Sequence, residues 1–269
     1  MLEKTYIAAA ILTSSRSGPL KAKQIEGPCP YIPGNIAITE SLVFKPGVEQ
    51  VEDLLELGYR HFGFFHFRPS CRSCQRCIPI RIIVDSFTPS RSARRVLRIN
   101  NDLDVRLATP GSLIEAYQLY KQHKQRFDET GAESLEQYLG SFFSPHPTVN
   151  HLSIYTQNSL VAVLHLDITP RLGSAIYCYW NIAYSHRSLG TFSILSALRL
   201  AKERGLQYLY LGYLIAENRH MAYKARFRPS EIRTAQGWVP YRNERGSLVG
   251  TEAFEEGFCS RVLPAYRPV

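Results

Sequence analysis

The chain has 269 residues, of which 45% are hydrophobic and 20% are charged, and its formal net charge is +9 at pH 7. This composition excludes a disordered or collagen-like chain and predicts a globular protein with one large core or two smaller ones. The positive charge makes a polyanion a candidate partner without identifying it.

The longest early apolar run covers only residues 6–12. That length is too short to cross a bilayer, and no convincing cleavage site follows it. We therefore expect a cytoplasmic protein without a membrane segment. In that compartment, the six cysteines indicate reduced thiols used for metal binding or packing and not for disulfides.

The N-terminal half predicts short elements. Residues 48–57 fit an amphipathic helix, residues 60–67 a strand, and residues 78–84 a second, β-branched strand. Three cysteines with two residues between neighbours lie between these strands, and a fourth precedes them: Cys29, Cys71, Cys74 and Cys77. Four thiolates suit Zn²⁺ or an iron–sulfur cluster, and reduced structural thiols are the alternative.

A cationic helix is predicted next. Ser90 is a suitable N-cap, and Asn100 with Asn101 a suitable end. Four arginines recur with helical spacing, and no acidic residue lies between them: Arg91, Arg94, Arg95 and Arg98. Such a stripe favours phosphate binding, although a merely solvated helix face has the same pattern.

A strand near Val105 and helices over residues 112–127 and 135–139 complete this half. The turn-rich residues 140–150 separate two predicted domains, which cover residues 1–145 and 146–269. The second domain has the predicted order β-β-β-turn-α-β. Its strands, the start of its helix and its last strand lie at 152–155, 160–167, 174–181, Thr191 and Tyr208.

Two residues of the second predicted strand are candidates for catalysis. Asp167 ends an otherwise apolar strand, where a charged group needs a reason to be present. It is the first candidate for a group that orients or deprotonates a substrate, and capping of the following turn is the alternative. His165, on the same strand face, is the second candidate base, and a core histidine is the alternative.

Residues 223–228 alternate cationic and aromatic side chains. If this segment is extended, Lys224, Arg226 and Arg228 face one way, while Tyr223 and Phe227 face the other. Such a row could bind phosphates or a carboxylate, or could protect an edge strand.

Several motifs in one order resemble those of the aminoacyl-tRNA–protein transferases, which include bacterial aspartate/glutamate leucyltransferases and eukaryotic arginyltransferases. They are CPYIP from Cys29, LGYRHFGFFHFRPSC ending at Cys71, CIPIR from Cys77, PSRSARRVLRINNDL from Pro89, RSLG from Arg187, YLGY from Tyr210 and MAYKARFRP from Met221. The resemblance covers most of the chain.

The resemblance implies an α+β, acyltransferase-like (GNAT-like) mixed sheet with flanking helices, in two degenerate copies. It implies transfer of an amino acid from charged tRNA to proteins with an acidic N-terminal residue, a mark for N-degron degradation. Since the donor ester is already activated, no cofactor is required for transfer. Arg187 and Gly190 would then bind tRNA, and Tyr213 and Tyr223 would bind substrate.

The chain departs from the family after the third predicted strand. Family members have an aromatic-Asp-Pro sequence after the third strand, whereas this chain has Trp180, Asn181 and Ile182. Asn181 cannot act as a base, so that aspartate is structural in the family or its role lies elsewhere here.

Leucine is favoured over arginine as the donor. A CoA-dependent N-acetyltransferase and a non-enzymatic nucleic-acid-binding module remain as alternatives.

Overall fold

The computed structural model describes residues 22–127 and 134–241. The described residues form two compact units: the first contains residues 22–83 and 210–241, and the second contains residues 84–127 and 134–209. These units do not coincide with the predicted domains 1–145 and 146–269. C-terminal strands pair with a strand before Ile83, so the first unit is discontinuous in sequence.

The first unit contains a four-stranded antiparallel sheet with the order β1-β2-β4-β3. The helix predicted over residues 48–57 is confirmed as α1, Val48–Glu56. Leu42, Leu54 and Tyr59 form a buried cluster. The strands are β1 (Lys23–Pro28), β2 (Ile36–Val43), β3 (Arg60–Phe62) and β4 (Phe65–Pro69).

The single strand predicted over residues 60–67 is wrong. The segment is a hairpin in which Phe62 of β3 pairs with Phe65 of β4. Gly63 has φ 53°, a left-handed conformation that glycine adopts without steric cost and that reverses the chain. Because both arms are equally aromatic, the hydrophobic pattern alone does not reveal the turn.

A second group of strands in the first unit has the order β12-β11-β5-β10. They are β5 (Ile78–Ile83), β10 (Tyr208–Leu214), β11 (Ser230–Thr234) and β12 (Gly237–Pro240). A short helix, α6 (Arg219–Ala222), lies between β10 and β11. The sequence predicted β5 and β10 but missed β1, β2, β11 and β12, which are short or half-exposed and owe their stability to pairing.

Arg81 of β5 is the polar centre of this group. Its Nε donates to Glu231 at 2.8 Å, and its Nη1 donates to Glu56 at 2.6 Å and to the Tyr210 hydroxyl at 2.8 Å. The guanidinium also lies 4.3 Å from the ring centroid of Trp238. Only 6% of Arg81 is exposed, so removal of one partner would leave a buried charge poorly compensated.

The second unit contains an antiparallel sheet with the order β9-β8-β7-β6. Its strands are β6 (Asp104–Leu107), β7 (Val149–Thr156), β8 (Ser159–Ile168) and β9 (Leu172–Trp180). Its helices are α2 (Arg91–Ile99), α3 (Leu113–Lys124), α4 (Leu135–Phe142) and α5 (Leu189–Glu203). The predicted α+β class and the order β-β-β-turn-α-β are therefore confirmed.

Helices α3 and α5 pack against β8 and β9. A buried cluster joins α5 to the sheet through Ile154, Val161, Ala162, Leu189 and Phe192. The helix α5 begins two residues earlier than predicted, at Leu189. At its other end Gly205 has φ +67°, the usual helix-ending conformation of glycine.

Residues 6–12, which the sequence analysis considered for a membrane segment, lie outside the described residues. Within residues 22–127 and 134–241, no helix is long and apolar enough to cross a membrane.

Candidate tRNA surface, catalytic residues and cysteine pocket

The arginine helix α2 forms as predicted. The Ser90 hydroxyl accepts a hydrogen bond from the Ala93 N–H at 3.2 Å, and Asn100 is the C-cap. The arginines at the predicted spacing are all exposed: Arg91, Arg94, Arg95 and Arg98. From the first to the last they span about 10 Å of helix axis. The structure thus presents the stripe to solvent, where it could follow a phosphate backbone.

A polar clamp, formed by Asn100, Asp102 and Arg187, joins the end of α2 to the turn before α5. Asn100 is 1% exposed, and its Nδ2 donates to the Val96 carbonyl at 2.8 Å and to the Arg187 carbonyl at 2.9 Å. The Arg187 guanidinium donates to both oxygens of Asp102 at 3.0 and 2.9 Å. This hydrogen bonding lowers the pKa of Asp102. Arg187, which was predicted to bind tRNA, therefore uses part of its hydrogen-bonding capacity within the clamp.

Gly190 lies in the first turn of α5 against the indole of Trp180. A Cβ at this position would lie 2.9 Å from Trp180 Cζ3, closer than side chains tolerate. Trp180 is itself held in place, because the His123 ring meets it edge-on at 4.0 Å and the Arg126 guanidinium lies 4.4 Å from its centroid. The predicted role of Gly190 in tRNA binding is not tested by this contact, which supplies a packing reason for the glycine.

Asp167 of β8 is fully buried and accepts a hydrogen bond from the Thr148 hydroxyl at 2.6 Å. That hydroxyl lies 3.1 Å from His146 Nδ1. Because the threonine proton points to Asp167, His146 donates to Thr148, and the three side chains form a hydrogen-bonded chain. Thr169 closes the turn that follows, since its hydroxyl accepts from the Leu172 N–H at 2.9 Å. The sequence did not reveal Thr148 or His146, which lie in a segment read only as a turn.

His165 is a core residue. It is 0% exposed and stacks on Phe142 with centroids 4.5 Å apart. Neither ring nitrogen has a hydrogen-bond partner within the described part of the chain. Burial, followed by the nearby His151, lowers the pKa of His165 well below its ordinary value. A buried neutral imidazole is the alternative that the sequence left open, and a role as base stays a prediction.

Asn181 replaces the family aspartate and caps a short 3₁₀-helix. Its side-chain oxygen accepts a hydrogen bond from the Ala183 N–H at 3.0 Å. An asparagine performs this capping as well as an aspartate does. The geometry therefore supplies a structural role for this position.

The extended conformation predicted for residues 223–228 is wrong. Residues Tyr223–Arg226 form a 3₁₀-helix directly after α6. In a helix with three residues per turn, alternate side chains diverge. Lys224 is accordingly buried, Arg226 is exposed, and Arg228 is half-buried with its Nε donating to the Ala225 carbonyl at 3.0 Å. The three cations do not form one row.

Lys224 points into the interior of the first unit. Its Nζ donates to the Tyr213 carbonyl at 2.7 Å and to Met221 Sδ at 3.4 Å. Burial and the neighbouring Arg60 lower the pKa of Lys224 well below its ordinary value, and a Cys77 thiolate would oppose this effect.

Tyr213 and Gly212 form the strand end beside Lys224. The Tyr213 hydroxyl donates to the Gly58 carbonyl at 3.0 Å and to the Phe67 carbonyl at 3.2 Å. Gly212 has φ +76°, and a Cβ there would lie 3.0 Å from the Arg60 guanidinium carbon. Arg60 therefore packs closely against the backbone at this glycine. Tyr223, also predicted to bind substrate, is half-buried.

All four predicted cysteines line one pocket of the first unit, together with Tyr213. Its other walls are mainly aliphatic and aromatic side chains from residues 30–39 and 67–69. The Ile38 N–H donates to Cys71 Sγ at 3.3 Å. The thiols are free, and burial raises the pKa of Cys77. Cys29 comes from a distant part of the chain, so its convergence with the other three is a property of the fold.

The chemistry of this donor set fits a metal. Four free thiols on one pocket are the ligands that Zn²⁺ and iron–sulfur clusters use. They are not among the described side chains that place three ligand atoms within 4.8 Å of one another. A tetrahedral zinc site needs sulfur atoms about 3.8 Å apart, from Zn–S bonds near 2.3 Å. Zinc binding would therefore require the four cysteine side chains to rotate toward one another. An iron–sulfur cluster is larger and can be held by sulfur atoms that lie farther apart.

Comparison with known sequences agrees with the motifs. The pattern for "Arginine-tRNA-protein transferase, N terminus" matches residues 27–95, and the pattern for its C terminus matches residues 115–234. The aspartate/glutamate leucyltransferase of Shewanella putrefaciens is 40% identical over 70% of this chain and 80% of that protein. The Campylobacter jejuni enzyme of the same name is 32% identical over 77% and 90%.

Among solved structures, FemX aligns with a TM-score of 0.43 at 10% identity, over 77% of this chain and 86% of that chain. Similarity at this level carries no argument about function. The sequence matches, by contrast, cover both halves of the chain and include the beginning of α2, the turn before α5 and the residues around Lys224. The chain therefore belongs to the arginine-tRNA–protein transferase family and is an aminoacyltransferase.

Proposed function

We propose that this enzyme transfers leucine from charged tRNA to the α-amino group of proteins with N-terminal Asp or Glu, marking them for N-degron degradation in the cytoplasm. The exposed arginine stripe of α2 supports the binding of tRNA. The polar clamp joins the end of this helix to the turn before α5. The names of the relatives support the donor and the acidic acceptor.

The reaction needs positioning more than covalent catalysis. The acceptor nitrogen attacks the ester carbon of leucyl-tRNA, an amide bond forms, and the bond to the ribose oxygen breaks. The acceptor ammonium, whose pKa is near ~8, must first lose a proton. We assign Asp167 to orienting this amine, with its own carboxylate held by Thr148. Since Asp167 is fully buried, an acceptor would reach it only after side chains move.

An acidic acceptor residue requires a fixed positive charge. Arg226 and Arg228 are the candidates, since both are at least partly open to solvent and a guanidinium can bind a carboxylate through two hydrogen bonds. Changing each to Gln should depress transfer to Asp- and Glu-peptides while tRNA binding persists. Arg91→Gln is the matched control, because it should affect tRNA binding and not acceptor preference.

We also propose that the cysteine pocket holds a structural thiolate-bound metal centre, either Zn²⁺ or an iron–sulfur cluster. The convergence of four free thiols supports it. The transfer chemistry itself does not use this centre, whose role is to stabilise the first unit.

One assay separates the alternatives. The protein is mixed in turn with labelled leucyl-tRNA, arginyl-tRNA or acetyl-CoA, and with matched peptides that begin with Asp or Ala. Leucine incorporation into the Asp-peptide alone is expected. Faster arginine transfer would change the donor, and acetyl incorporation would favour the CoA-dependent alternative. RNA retention without any transfer would point to a binding module.

A further inference from the structure

Lys224 is a buried amine whose hydrogen-bond partners are uncharged. Lys224 is 7% exposed, and its ammonium donates to the Tyr213 carbonyl and the Met221 sulfur, both of which are neutral. Within the described residues, no carboxylate is paired with it. An ammonium buried without an anion is strongly unfavourable. The position of this lysine therefore calls for a negative group nearby.

A second cation makes the requirement stronger. The Arg60 guanidinium packs against the backbone of Gly212, and Lys224 is hydrogen-bonded to the next residue, Tyr213. Two positive side chains thus lie along one short stretch of β10, and their mutual repulsion disfavours both charges.

Cys77 could supply negative charge, because a thiolate at this position would interact favourably with the Lys224 ammonium. This cysteine lines the pocket with Tyr213 and the three other cysteines. A neutral thiol carries no charge, whereas a metal-bound thiolate is deprotonated. Four thiolates around a divalent metal carry a net charge of about −2, and bound ions dominate the local electrostatics.

We propose that Lys224 is the counter-ion of a negatively charged thiolate–metal centre held by the four cysteines, and that Arg60 adds a second positive charge. The inference rests on the metal centre proposed above. The carboxylate of an acidic acceptor is another anion that could enter the pocket. The sulfur-rich, otherwise apolar lining favours a soft metal over a carboxylate.

The test compares the full-length protein with its Lys224→Met variant, because methionine has a similar length and no charge. Metal and acid-labile sulfide per chain are measured after isolation without oxygen and after reconstitution with Zn²⁺ or with Fe²⁺ and sulfide. Thermal midpoints are measured with and without the metal. Arg219→Met is the control, since it removes an exposed cation from the neighbouring helix α6.

We expect opposite effects in the two states. Without metal, Lys224→Met should be at least as stable as the parent protein, because a buried unbalanced charge is gone. With metal, the variant should release it to a chelator more than 10-fold faster and melt at a lower temperature than the parent. If Lys224 acted only through packing, Lys224→Met would shift the thermal midpoint in the same direction with and without the metal.

Metal content, chelator resistance and midpoints equal to those of the parent protein would overturn the inference. Loss of Asp/Glu preference with unchanged metal binding would overturn it in favour of an acceptor carboxylate. If the parent protein takes up no metal, both the proposed metal centre and the role of Lys224 as its counter-ion are wrong. Leucine transfer measured in parallel then shows whether the transferase function stands without them.

Discussion

Replacement of Gly190 by alanine is expected to destabilise the second unit, even though alanine is the better helix former. The added methyl would lie 2.9 Å from Trp180 Cζ3 and 3.2 Å from Cη2. The indole cannot withdraw easily, because His123 and Arg126 pack on it. Either the indole or the first turn of α5 must therefore move.

The magnitude follows from two opposing terms. Alanine gains up to about 1 kcal/mol over glycine in a helix. Overpacking against a fixed ring costs about 1–3 kcal/mol. With a cost in the middle of that range, about 2 kcal/mol, and the full helix gain, the net loss should be about 1 kcal/mol, which corresponds to a fall of about 4 °C in the thermal midpoint of a domain of this size.

Gly140 provides the matched control. It also lies in a helix, α4, but is exposed, and nothing lies within 4 Å of where its Cβ would be. Gly140→Ala should therefore raise stability by up to about 1 kcal/mol. Denaturant and thermal unfolding of both variants measure the difference. If Gly190→Ala were as stabilising as Gly140→Ala, the steric argument would be refuted. In a Trp180→Leu background, Gly190→Ala should cost less stability than it does in the parent protein, because the ring that the added methyl would meet is gone.

Three further outcomes are expected. Changing Arg94 and Arg95 together to Ala should weaken tRNA binding. The plot of log affinity against log salt concentration should become less steep by about 2, because two phosphate contacts are lost. An unchanged slope would exclude the stripe as a phosphate site. Asp102→Asn should raise the KM for tRNA several-fold with little change in kcat, and Asp102→Glu should restore it; equal losses in kcat would contradict a positioning role. Because the pKa of His165 is lower in the folded state, the unfolded state binds more protons, and stability should fall as pH drops below about 6.5 by up to about 1.4 kcal/mol per unit. His165→Phe should flatten this acid loss between pH 6.5 and 5, as measured by urea unfolding, and an unchanged pH slope would refute the assignment.

Local patterns were sufficient to predict the elements that depend on neighbouring residues. The helix α2 begins at its Ser90 cap and ends at Asn100 as expected. The strands β7, β8 and β9 appear where short apolar runs and turn residues placed them. Capping, turn formation and side-chain periodicity act over only a few residues, so they can be read along the chain.

The same local reasoning failed where a residue's environment is made by distant segments. The alternation of Lys224, Arg226 and Arg228 suggested one charged row, but the segment is helical and Lys224 is buried. The single strand expected over residues 60–67 became a hairpin at Gly63, since both arms have the same aromatic pattern.

The sequence by itself determined the family motifs, the arginine stripe and the presence of four cysteines with metal-binding chemistry. Only the tertiary structure brought Cys29 to the other three cysteines and placed Lys224 beside the pocket they line. It also set Asn100 beneath the turn before α5. The reason is physical: burial and the partners of a charge depend on contacts between segments far apart in the chain, and no local period encodes which segments will meet.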